Sequence, residues 1–204
     1  MARRTTDPTL FLLDEVEKCE KDLLEGLMNL PEGGSATIVI NSGGGSVYSG
    51  LGIGTVIRAR HLVCTAHVLA DCSSSALMVF SACRTRLVAP HASFLFHPVQ
   101  WSGEDRSRVA GAKSWSAEFE RIQGVCEEWL REMLPIDAKL LRKWMHDERY
   151  VLAPELIKLD IAQEMALAAP HVQLLHQPAR TRSGAPARPA PGTSRQARAR
   201  RRAA

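Results

Sequence analysis

Four β-prone residues run directly into three consecutive glycines: Thr37-Ile38-Val39-Ile40-Asn41-Ser42-Gly43-Gly44-Gly45-Ser46-Val47. A buried strand that ends this way hands the chain to a loop whose backbone can approach another group closely, and a segment with helical patterning follows. Turns of this kind aim free N–H groups at one point, which suits a bound anion or a developing oxyanion. The same glycines also read as no more than a tight strand-to-helix turn, so the rest of the chain must decide.

The patterning on either side alternates between strand and helix. Residues 10–13 form a short apolar run, and 15–30 an amphipathic helix with Val16, Cys19, Leu23, Leu24 and Leu27 at three-to-four spacing. Pro31-Glu32-Gly33-Gly34 stops that helix. Residues 46–60 look helical but carry Gly50, Gly52 and Gly54, which predicts close packing against a neighbour. A strand over 62–69, a helical segment over 74–82 and strands over 86–88 and 93–96 follow, the last two separated by Ala89-Pro90. Beyond Pro98 a long helix is predicted over 106–133, broken by Pro135, then a short helix over 138–146. A last helix begins at Ala153-Pro154-Glu155, where a first-turn proline loses no hydrogen bond. This alternation predicts an α/β domain with a largely parallel sheet.

Charge divides the chain. Residues 178–204 hold eight arginines and no acid; removing them from the formal net charge of +4 leaves −4 over residues 1–177. Rich in Pro, Ala, Arg, Gly and Ser, this stretch cannot bury apolar surface and is expected to be disordered. It is a solubilising extension or a nonspecific polyanion-binding tail. The expected organisation is a domain over 1–173 and a basic tail over 174–204. No apolar run approaches the roughly 20 residues a membrane span needs, and the N-terminus lacks the apolar core of a signal peptide. Five cysteines (19, 64, 72, 83 and 126) without a C-x-x-C pair speak against a disulfide framework and a zinc site. A reduced, cytoplasmic protein without metal or organic cofactor is expected.

Four groups of residues carry candidate chemistry. The glycine loop matches neither G-x-x-x-x-G-K-[ST] nor G-x-G-x-x-G, since position 48 is Tyr, so a nucleotide is disfavoured. Asp71-Cys72-Ser73-Ser74-Ser75-Ala76 is a small-residue cluster at a strand-to-helix transition; it follows the logic of a nucleophile elbow and equally that of a helix N-cap. His97 ends the apolar strand Ser93-Phe94-Leu95-Phe96, where it is either a base facing a cleft or a structural histidine. His146-Asp147-Glu148-Arg149 places acids at the end of a short helix, to orient a histidine or to lie solvated at the surface.

In this order the four groups resemble the proteolytic subunit of the Clp protease. Ile40-Asn41-Ser42-Gly43-Gly44-Gly45-Ser46-Val47 is similar to that family's I-N-S-P-G-G-S-V, with Gly43 for proline. Cys72-Ser73-Ser74 stands where the family has A-A-S, Ala89-Pro90 with His97 resembles L-P-N-S-x-x-x-x-H, and Arg149 to Glu155 resembles R-F-L-S-A-P-E. The resemblance covers roughly residues 9–168. It implies a ClpP/crotonase-like fold of repeated strand-helix units with a long handle helix over 106–133. It further implies a serine endopeptidase working inside a homo-oligomeric ring on peptides or unfolded proteins, with an AAA+ unfoldase as partner. Residue by residue, it implies Ser74 as nucleophile, with Ser73 the runner-up, and His97 as general base. Glu148 is the implied acid, with Asp147 its alternative, and the Gly45 and Ser75 N–H groups form the oxyanion hole.

The chain departs from that pattern in several places. Ala70 and Asp160 replace family glycines, and only about ten residues precede the first strand, which leaves little for the axial loops that meet an unfoldase. These departures keep a second reading open, a catalytically inactive scaffold that assembles with an active paralogue. A third is a crotonase-like acyl-CoA enzyme, which shares the fold and the oxyanion logic but needs no Ser–His pair.

Overall fold

The computed structural model describes residues 7–100 and 109–168; within the second segment, side chains are described from residue 114. Five strands form a mostly parallel sheet in the order β1 (Thr9–Leu12), β2 (Ser35–Ser42), β3 (Val63–Cys72), β4 (Thr85–Val88) and β7 (Gln163–Glu164). Two further strands branch from it. β5 (Ser93–Phe96) pairs in parallel with the end of β3 at Asp71↔Ser93, and antiparallel with β6 (Arg149–Leu152) from Ser93↔Leu152 to Phe96↔Arg149. The α/β class and the largely parallel sheet follow the expectation. β6 and β7 are the strands the sequence did not announce: each is short, and β7 is exposed along its length. The tail and the 173/174 boundary lie outside the described residues.

Alternation along β2 buries Ala36, Ile38, Ile40 and Ser42, and along β3 it buries Cys64, Ala66, Val68 and Cys72. In register these pair as 36↔64, 38↔66 and 40↔68, and then the ladder shifts to Ser42↔Cys72. The extra length of β3 at this irregularity brings the serine cluster beside the glycine loop, and the Ser73 N–H donates to the Ser42 carbonyl at 3.0 Å.

Helices cover the sheet. α1 (Val16–Met28) packs on α2 (Val47–Ala59), which packs on α3 (Ala76–Ala82), which meets the long α4 (Val109–Met133). Two of the three α2 glycines account for the predicted close packing. A Cβ on Gly50 would lie 2.5 Å from the Ser75 carbonyl oxygen, and one on Gly54 would lie 2.6 Å from Trp129 Cζ2; Gly52 has ordinary space. Trp129 also ties α4 to α3, its Nε1–H directed at the Met78 carbonyl (3.2 Å) and Ser81 Oγ (3.0 Å). α5 (Ala138–His146) seats Trp144 against Phe96 with ring centroids 5.1 Å apart, and α6 (Ala153–Lys158) follows β6 directly. Among the described residues no helix is long and apolar enough to cross a membrane.

Because Trp129 fills the space left by Gly54 and shares its one N–H between two acceptors, Trp129→Ala is expected to destabilise the fold by about 3 kcal/mol. A urea titration should show the lower midpoint with an unchanged slope.

Candidate active site

The glycine loop is shaped from below by Ser42. Its hydroxyl donates to the Asp14 carbonyl at 2.6 Å and accepts from the Gly44 N–H at 3.2 Å. The Gly44 carbonyl accepts from Val16 N–H at 2.9 Å, so the start of α1 braces the loop. Gly44 and Gly45 have φ of +107° and +132°, where a side chain is strained. At Gly44 contact demands glycine as well, whereas at Gly45 the nearest atom is the movable end of a side chain. A Cβ on Gly44 would lie 2.5 Å from Ser74 Cβ, and one on Gly45 would lie 2.1 Å from Glu17 Oε2. At Gly43 the nearest atom would be Asp71 Oδ2 at 3.7 Å, an ordinary contact.

The three adjacent serines have three different situations. Ser73 is buried and its hydroxyl is engaged twice, donating to Asp71 Oδ1 at 2.5 Å and accepting from the Leu95 N–H at 3.2 Å. Ser75 is buried, with an unpartnered hydroxyl. Ser74 is partly exposed and has φ of +55°, a left-handed conformation that is costly for a residue with a Cβ. Its N–H donates to the Leu95 carbonyl at 3.0 Å, which pins the elbow to β5. Among the described residues the Ser74 hydroxyl has no hydrogen-bond partner. Nor do the Gly45 and Ser75 N–H groups donate to any described acceptor.

Ser74, Ser75, Gly45 and His97 all line one cavity of about 470 Å³. Its inner wall is apolar, with Leu77, Met78, Ile122, Leu130 and Met145. Cys126 lies there too, but burial pushes its thiol up to about 11, so it is neutral near pH 7 and a poor nucleophile. At the rim the Tyr48 hydroxyl donates to Glu118, which also pairs with Arg121. The Arg121 guanidinium, followed by the Tyr48 hydroxyl, lowers the Glu118 carboxyl to about 2. No cluster of three His, Cys, Asp or Glu side chains suited to a metal is found among the described residues.

The acids stand apart from this group. His97 Nδ1 is buried with no partner, and His97 makes no hydrogen bond to Ser74 among the described residues. Glu148 is exposed, has φ of +48° and accepts from Gln100 Nε2 at 3.4 Å. Asp147 is paired with Lys143, which holds its carboxyl below the usual range. Neither acid lines the cavity. Sequence reasoning also missed Asp71 and Glu17. Glu17 lines the cavity and accepts from the Ser46 N–H at 2.7 Å. An acid in the first turn of a helix was the available signal, but it is usually a dipole effect.

The Clp protease family model matches residues 5–169. The chain belongs to the Clp protease family. Among solved structures 442 chains match, including a ClpP1 mutant from Listeria monocytogenes with a TM-score of 0.66. That match has 19% identity over 78% of this chain and 90% of the other, so it shows the shared fold. Comparison with curated sequences returns no match. Family membership removes the reason to hold a crotonase-like acyl-CoA reading.

The glycine contacts give a paired prediction. Gly44→Ala, strained in φ and pressed onto Ser74, should destabilise by about 1–3 kcal/mol. Gly43→Ala, whose Cβ would make only an ordinary contact, should stay within about 0.5 kcal/mol of the parent, the range of substitutions that disturb no specific contact. Guanidinium denaturation of both variants separates the two cases.

Proposed function

We propose that this chain is a serine endopeptidase of the ClpP type, acting on peptides or unfolded proteins. One observation carries the proposal: Ser74 stands in a strained left-handed elbow and faces a cavity that it shares with His97 and the loop of Gly45. A hydroxyl on such an elbow is held clear of its own strand and helix, as a nucleophile must be. Ser73 is disfavoured because both of its hydrogen bonds are committed.

In the proposed reaction Ser74 Oγ attacks the scissile carbonyl carbon while its proton passes to His97 Nε2. The carbonyl oxygen becomes an oxyanion and accepts from the Gly45 and Ser75 N–H groups. Collapse of the tetrahedral intermediate breaks the C–N bond, and His97 returns its proton to the leaving amine. Water, activated by His97, then hydrolyses the acyl-serine. The apolar inner wall suits an apolar substrate side chain. Assembly into a ring, with or without an unfoldase, is carried over from the family.

Glu148 is proposed as the acid that orients His97. β5 and β6 pair antiparallel as far as Phe96↔Arg149, so His97 and Glu148 each lie one residue beyond the last paired position. A glutamate has the length to turn from Gln100 toward the buried Nδ1, whereas Asp147 is already held by Lys143.

The unpartnered Nδ1 also favours a second reading, an inactive scaffold subunit. A fluorophosphonate probe distinguishes the two. Peptidase function predicts an adduct on Ser74 that Ser74→Ala abolishes and that Ser73→Ala still forms, if more slowly. Glu148→Gln should slow peptide hydrolysis by about 10²-fold or more and Asp147→Asn by little, since a misoriented base loses most of its effect. An unlabelled assembled protein would point to the scaffold.

A further inference from the structure

Asp71 and Ser73 have no part in the reaction just described, yet they form the shortest polar contact near the elbow. Ser73 stands at a position where the family motif has alanine, so its hydroxyl adds something that the motif does without. It is 3% exposed, donates to Asp71 Oδ1 at 2.5 Å and accepts from the Leu95 N–H at 3.2 Å. The Asp71 N–H in turn donates to Asn41 Oδ1 at 3.1 Å, which joins the network to the end of β2.

The sheet itself ties β5 to β3 weakly. The two strands share a single pairing, Asp71↔Ser93. Beyond it Leu95 is held on both sides by the elbow: its N–H by Ser73 Oγ, and its carbonyl by the Ser74 N–H at 3.0 Å. A side chain therefore supplies a rung that the backbone ladder lacks. His97 follows two residues later on the same strand, so the rung sets where the imidazole stands relative to the elbow.

We infer that Ser73 and Asp71 are positioning residues for the proposed Ser74–His97 pair, locking β5 onto the nucleophile elbow through the Leu95 N–H. This rests on the serine-peptidase reading. Asp71 fixes the Ser73 hydroxyl so that its lone pair faces Leu95; without that acceptor the hydroxyl is free to rotate. Without the hydroxyl, the Leu95 N–H loses its partner in a part-buried site. Displacements of about 1 Å in such a pair are enough to cost about 10²-fold in rate.

The test uses the full chain as Ser73→Ala, Asp71→Ala and Asp71→Asn. Hydrogen exchange over residues 93–97 reads the lock without any need for activity. The rate of fluorophosphonate labelling, with kcat and KM on a fluorogenic peptide, reads its consequence. Ser73→Ala and Asp71→Ala should speed exchange across 93–97 by about tenfold or more while α1 and α2 keep their protection. Labelling and kcat should fall by about tenfold or more with KM within about twofold, the split expected when only the transition state is affected. Asp71→Asn keeps an Oδ1 acceptor and should recover most of the rate lost in Asp71→Ala. Unchanged exchange over 93–97 in Ser73→Ala overturns the lock. Faster exchange with unchanged labelling overturns its role in positioning. Failure to label Ser74 in the parent protein defeats the peptidase reading, and the catalytic role of the lock with it, while faster exchange would still register the contact as a structural one.

Discussion

Everything at this site depends on how closely two chain reversals approach each other. β2 and β3 end side by side, one in the glycine loop and the other in the serine elbow, and Gly44 rests directly against Ser74. Ser42 sets the height of the loop from below, Val16 holds it from the side, and Ser73 N–H ties the elbow back to Ser42. No side chain fits between the two turns. This is why glycine is needed at 44 on two independent grounds, the φ of +107° and the 2.5 Å contact. The arrangement leaves the Gly45 and Ser75 N–H groups undirected toward any described acceptor while their neighbours are satisfied. Ser75 is buried and Gly45 exposed, so the first of these amides is the one that a buried environment would leave unsatisfied.

The walls around this apposition come from helices that are fixed independently of it. α3 is wholly buried, and α4 is fastened to it by Trp129. α4 then contributes Ile122, Cys126 and Leu130 to the inner wall, and Glu118 to the rim, where it meets Tyr48 of α2. The rim contacts are exposed, and ion pairs such as Glu118–Arg121 contribute little stability there. Their effect is to join α2 and α4 across the mouth of the cavity, whereas the apolar wall behind them supplies the packing.

The parts of this site visible in the sequence were those written in backbone chemistry. A run of β-branched residues into three glycines announces a strand ending in a close-approach loop, and the α2 glycines announce tight packing, which Gly50 and Gly54 carry out and Gly52 does not. The order of elements along the chain was equally visible, because helical and strand periods differ. What stayed hidden depends on long-range pairing. β6 is four residues without a period long enough to read, and its partner β5 is 53 residues earlier at the Phe96↔Arg149 pair. Ser74 was preferred over Ser73 in the sequence, but not for the reason seen in the fold, where Asp71 and Leu95 capture the Ser73 hydroxyl. Nor does sequence give a rotamer, so the direction of the Glu148 carboxylate was beyond its reach.

Two unpartnered buried polar atoms, Ser75 Oγ and His97 Nδ1, flank the same cavity. Each costs about 1–3 kcal/mol when left without a hydrogen bond. A third, Trp144 Nε1, lies in the core away from that cavity, whereas the Ser81 hydroxyl is compensated by the Met78 carbonyl at 3.0 Å. The two at the cavity, beside the strained φ at Ser74, are places where an added partner would stabilise the fold. A group that approaches Nδ1 would supply one such partner, and the proposed acid Glu148, one residue beyond the last β5–β6 pair, is the candidate. Ordering of the imidazole would then be coupled to a rotation of one exposed side chain rather than to a movement of the sheet.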